Sequence, residues 1–201
     1  MPESASFHSK GYHRYFEGYT EHTVTLPDGK TKVERIYTGI LHKADVPLAK
    51  RDWIKRSCLL LFLMSAVCFL LSAVQYVGSN SCWYVGITQA FSIVGFFFLF
   101  YYLVGFETSG EELTLYEYKG ILAFQKAALF TAFALSCVTA TTVLYTILHH
   151  SEGFMTELIC ILSTIAAAAC CFAIHYLEKN ITYRSYLSPN AIPEDGNQIE
   201  S

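Results

Sequence analysis

Residues 57–78 read SCLLLFLMSAVCFLLSAVQYVG, a run whose only ionisable side chains are two thiols and one phenol. About 20 apolar residues, rising about 1.5 Å each in a helix, match the roughly 30 Å hydrocarbon core of a bilayer, so the run predicts a membrane-crossing helix. Just before it stands Lys50-Arg51-Asp52-Trp53-Ile54-Lys55-Arg56, a basic collar with an aromatic anchor. Such a collar marks a helix that starts on the cytoplasmic side. Three further apolar runs, at about 83–106, 127–148 and 154–176, predict three more spans.

The expected fold class is therefore an all-α membrane protein, a four-transmembrane-helix bundle with a small cytoplasmic N-terminal β-hairpin. It divides into an N-terminal segment (1–50), the four-span domain (51–178) and a tail (179–201). Composition agrees, with 53% hydrophobic and 15% charged residues against roughly a quarter charged in soluble domains. Residues 1–50 contain no apolar leader, so the first span is expected to act as the insertion signal.

Charge placement sets the expected orientation. Ten of the 14 Lys and Arg precede the first span, Lys119 and Lys126 lie between the second and third, and Lys179 and Arg184 follow the fourth. The short loops 78–82 and 149–153 have none. The positive-inside rule then puts both termini in the cytoplasm and the chain in the cell membrane. A net charge of −3 without a basic patch argues against nucleic acid as a partner.

Two polar segments carry local signals. Around Asp28-Gly29, runs rich in Thr, Val, Ile and Tyr predict a hairpin pairing roughly 19–26 with 30–37. An isolated hairpin is marginal in water, so it must lean on something else. Pro47 is expected to open the helix leading into the first span. In 107–126, Ser109-Gly-Glu-Glu112 fits an S-x-x-E capping box. Leu113, Tyr116, Gly120 and Phe124 then recur at helical spacing, which suggests a short interfacial helix. The β-forming run 113–118 equally suits a strand paired with the hairpin. The acidic end 193–201 is expected to be disordered.

In the third span Ala128, Ala132, Ser136 and Ala140 lie four apart and predict a smooth packing stripe, the kind that lets helix backbones approach in lipid. Ser65 and Ser72 in the first span, and Ser163, Ala167 and Cys171 in the fourth, offer matching small surfaces.

The densest candidate functional polar group is His149, His150, Glu152 and Glu157. These side chains can ligate metal, but adjacent histidines diverge on a helix and no zinc motif spacing is present. Glu157 is the strongest single candidate, because it sits about one turn inside the apolar boundary, where a carboxylate is costly. It also suits the helix N-terminus. Gln75 and Gln89 flank the outer turn and can bond between helices. The seven cysteines follow no metal or redox spacing, and Cys82–Cys160 is the nearest plausible pair. No catalytic constellation, cofactor motif or metal site can be assembled. The sequence thus points to a non-enzymatic accessory or complex subunit acting through its cytoplasmic face. The expected partners are the lipid bilayer and either a second copy or a membrane or cytoplasmic protein. The alternative is a small oligomeric transporter or channel.

Overall fold

The computed structural model describes residues 18–25, 31–149 and 154–189. They divide into two compact units, a sheet unit (up to 45, 110–119 and from 183) and a helical unit (46–109 and 120–182).

In the sheet unit β1 (Tyr19–Thr25) pairs antiparallel with β2 (Thr31–Tyr37), in a register from Tyr19↔Tyr37 to Thr25↔Thr31. This is the predicted hairpin to within one residue at each inner end; its Asp28-Gly29 turn lies outside the described residues. Gly18, at φ 87°, closes the open end, and its carbonyl accepts from the Thr38 and Gly39 amides at 2.8 and 3.0 Å. A Cβ there would also meet the Tyr37 ring at 2.9 Å, so both conformation and space call for glycine.

The hairpin is not alone. β3 (Ile40–Ala44) lies at the centre of a second sheet, ordered β4-β3-β5, with β4 (Glu112–Leu113) and β5 (Tyr183–Leu187) both antiparallel to it. Three segments far apart in sequence thus build one sheet. Neither β3 nor β5 is foreseen from the sequence, since each is five residues long and its partner is about 140 residues away.

Both expectations for 107–126 are met in part and corrected in part. Glu112 and Leu113 form a strand, but it pairs with β3, not the hairpin. Helix α3 (Leu115–His149) then begins 12 residues earlier than the predicted span. Its cap is not Ser109–Glu112 but Thr114-x-x-Glu117. Glu117 Oε2 accepts from the Thr114 amide and hydroxyl at 2.8 and 3.0 Å, and the Thr114 hydroxyl in turn accepts from the Glu117 amide.

The helical unit is formed by α1 (Leu48–Val74), α2 (Trp83–Thr108), α3 and α4 (Phe154–Lys179), all long and apolar enough to cross a membrane. Pro47 is the N-cap of α1, as expected. We call the end with Leu48, Thr108 and Lys179 proximal, and the end with the short 3-10 turn Ser79–Ser81 distal.

The seams follow a 3-4 repeat. On α4 the positions 157, 160, 164, 167, 171, 174 and 178 are all buried, and on α1 so are 51, 54, 58, 65, 69 and 72. Alternating steps of three and four keep one face toward a partner helix. Ser65 donates to the Ala167 carbonyl at 2.9 Å across the α1–α4 seam, and Thr139 donates to Thr164 at 2.9 Å between α3 and α4. Gly95 of α2 lies against Thr131 of α3. α1 and α2 meet through Phe62, Phe69, Phe96 and Phe100 and leave a cleft of about 290 Å³ between them.

The proposed stripe on α3 is half inside. Ala128 and Ala132 are buried, whereas Ser136 and Ala140 are exposed. Strict four-residue steps advance about 40° per step around a helix of 3.6 residues per turn, so the stripe drifts out of the seam. Leu135, Val138 and Thr142 continue the buried face instead.

Gly95→Ala is expected to destabilise the unit by about 1–3 kcal/mol, because the added Cβ would sit 2.9 Å from Thr131 Oγ1 and 3.2 Å from its Cα. Gly86→Ala, which meets nothing within 4 Å, should be neutral or slightly stabilising. Thermal unfolding of the two variants in one detergent checks the contrast.

Candidate functional site

Polar groups are costly inside apolar surroundings unless paired, so the buried ones reveal what the bundle is built around. The α4 seam begins and ends on a carboxylate. Glu157 and Glu178 are 1% and 0% exposed. They are 21 residues apart, which at about 1.5 Å per residue is roughly the thickness of the hydrocarbon core.

At the distal end the polar groups around Glu157 are matched. Glu157 accepts from the Ser79 amide at 3.0 Å through Oε1 and from the Ser79 hydroxyl at 2.6 Å through Oε2. Asn80 donates to the Ser72 and Gln75 carbonyls, satisfying the orphan C-terminal acceptors of α1, and its own carbonyl accepts from Gln89 at 2.8 Å. Gln75 Oε1 accepts from the Cys160 thiol at 3.1 Å. Gln75 and Gln89 thus bond to Cys160 and Asn80, and Cys160 points at Gln75 while all seven cysteines remain free thiols. Ser79 gives Glu157 the work of a clamp, tying the 3-10 turn to the first turn of α4. Of the other predicted polar candidates, His150 and Glu152 lie outside the described residues, and so does the side chain of His149, which ends α3.

The proximal end is matched only in part. Lys55 Nζ donates to the Glu107 and Ser109 carbonyls at 3.0 and 2.8 Å, closing the C-terminus of α2, and lies 5.8 Å from the Phe106 ring centre. Arg51, 3% exposed, donates to Ser109 Oγ at 3.0 Å, but its Nε has no partner. Both oxygens of Glu178 and Oε1 of Glu107 are buried without a hydrogen bond of ordinary geometry. Gln125 of α3 stands beside Glu178, and Cys58 of α1 is within electrostatic reach of both glutamates.

Glu178 is the residue that sequence reasoning missed, because hydropathy ends the fourth span at Tyr176. The signal was available in the repeat: Glu178 is three heptads from Glu157 and so faces the same seam.

The sheet unit has its own polar node. His42 on β3 stacks on Tyr118 at 4.1 Å and shares a 2.9 Å hydrogen bond through Nδ1 with Ser185 Oγ on β5. Burial holds its imidazole below the usual value of 6.5. No group of three or more His, Cys, Asp or Glu that could hold a metal ion occurs among the described residues. No protein family, curated protein or solved structure matches this chain.

Ser79→Ala removes the 2.6 Å donor to Glu157 and is expected to cost about 1.5–3 kcal/mol, the range for a hydrogen bond to a charged group. Denaturant titration of the purified protein reads it. For His42 the sign is fixed by the lowered value. The fold favours neutral imidazole, so its contribution is full above about pH 6.5 and is lost as the unfolded chain takes up a proton below that pH. Exchange of β3 and β5 amides, corrected for its intrinsic pH dependence, should show protection falling between about pH 7 and about pH 5, and His42→Gln should flatten that fall.

Proposed function

We propose that the chain is a multi-pass protein of the cell membrane with both termini cytoplasmic, serving as a non-enzymatic accessory or complex subunit through its cytoplasmic face. The membrane part rests on an inside-out distribution. Leu60, Val74, Phe97, Phe133 and Met155 are exposed, while Ser65, Ser92, Thr131, Thr164 and both end glutamates are buried. In water this arrangement would leave a large apolar surface unexplained; in lipid it is the stable one. The orientation rests on the Lys and Arg distribution, which leaves loops 78–82 and 149–153 without positive charge.

The partner reading is supported by the sheet unit. Ile40 and Leu187 are direct cross-strand partners on β3 and β5, 49% and 66% exposed. β5 is the outer strand of its sheet, so one of its edges has no strand beside it among the described residues. An apolar pair beside an outer strand suits addition of an extended segment from another protein, with main-chain bonds for affinity and the pair for specificity. Exposed Ser136 and Ala140 on α3 favour the second reading, a homo-oligomeric transporter or channel, by offering a smooth strip to another helix.

Native mass spectrometry from mild detergent tests the choice. A second polypeptide should accompany the native chain and be absent from Ile40→Glu/Leu187→Glu. A monomer with nothing bound contradicts the accessory reading, and a pure homo-oligomer favours the transporter.

A further inference from the structure

The two ends of the α4 seam pose a contrast that helix packing alone does not explain. Glu157 has two donors, both from Ser79. Glu178, equally buried and in the same register, has no charged partner and only the neutral Gln125 amide beside it. We propose that Glu178 is a proton-binding site of the helical unit, a carboxyl that takes up and releases a proton beside Gln125.

The surroundings favour a proton over other cations. An ionised carboxylate with no cationic partner and no exposure is unstable unless something neutralises it. A calcium or magnesium ion needs about six oxygen ligands, and sodium likewise needs several. The groups facing Glu178 supply few: the Cys58 thiol from α1, with Glu107 of α2 near the same thiol, and the Gln125 amide from α3. Arg51 and Lys55 are engaged at the α2 C-terminus with Ser109 and the Glu107 carbonyl, so neither neutralises Glu178. His175, one turn earlier on α4, has its Nδ1 buried without a partner.

A proton needs one acceptor, and a side-chain amide is the neighbour that serves both states. Its oxygen accepts from the protonated carboxyl, and its NH₂ donates to the carboxylate after the proton leaves. The next residue along the helix, Lys179, is exposed, so Glu178 lies at the edge of the buried seam. A carboxyl inside a bundle that can change charge is also the feature a proton-linked membrane protein requires.

The test is infrared difference spectroscopy of the full chain in lipid nanodiscs, cycled between acid and alkaline buffer. The carboxylic-acid C=O band of one buried group should appear and vanish reversibly, persist in Glu157→Gln and Glu107→Gln, and be lost in Glu178→Gln. Gln125→Leu, which keeps the carboxyl but removes the amide, should shift the band's position and its titration midpoint, and it gives a second readout if Glu178→Gln does not fold. A band that survives in Glu178→Gln overturns the proposal, as does a midpoint and position unmoved by Gln125→Leu. Saturable radioactive sodium or calcium binding that depends on Glu178, with no titrating band, also overturns it in favour of a metal cation.

Discussion

Burial of polar groups where water cannot follow governs this molecule. A helix satisfies its own backbone in lipid, but its ends and its polar side chains must find partners within the protein. The seams obey this residue by residue: Ser65 reaches the Ala167 carbonyl, Thr139 reaches Thr164, and Asn80 and Lys55 close the C-termini of α1 and α2. In the proposed lipid setting, where hydrocarbon offers no hydrophobic drive between helices, close approach and these bonds hold the unit together. Gly95 against Thr131 is one such approach, and the aromatic contact of α1 with α2, with its cleft, is the loosest.

The helices were legible because length and sustained apolarity are local features of the sequence. Residues 57–78, 83–106 and 154–176 each fall largely within a helix, and the hairpin was readable from Asp28-Gly29 and its β-forming flanks. What escaped was non-local or register-dependent. β3 and β5 are short strands whose pairing sets His42 opposite Ser185, 143 residues away. The start of α3 was misplaced because hydropathy registers the lipid-facing part and not the Thr114–Glu117 cap that begins the helix. The α3 stripe was drawn with steps of four, whereas the molecule uses alternating threes and fours. The omission of Glu178 has another origin, since hydropathy ends the fourth span at Tyr176 and the repeat continues past it.

Read on the correct repeat, the two glutamates of α4 are chemically alike and structurally opposite. Glu157 closes the distal turn by receiving Ser79 twice, which makes it part of the scaffold. Glu178 sits where a scaffold residue would be apolar, beside a neutral amide and a thiol. A buried carboxylate with no charged partner weakens a fold, so its presence asks for a function in a way that a clamped one does not. The sheet unit repeats the theme with His42, a titratable group held at the junction of three chain segments.

Replacing each glutamate by leucine compares the two roles most directly, with thermal unfolding followed in the same lipid nanodisc. Glu157→Leu should lower the melting temperature, because it strands the buried Ser79 amide and hydroxyl, an effect of about 1–3 kcal/mol per group. Glu178→Leu should leave the melting temperature unchanged or raise it, since an apolar side chain replaces a buried carboxyl that has no charged partner. Equal destabilisation by the two substitutions would contradict the account, because it would mean that Glu178 is as much a part of the scaffold as Glu157.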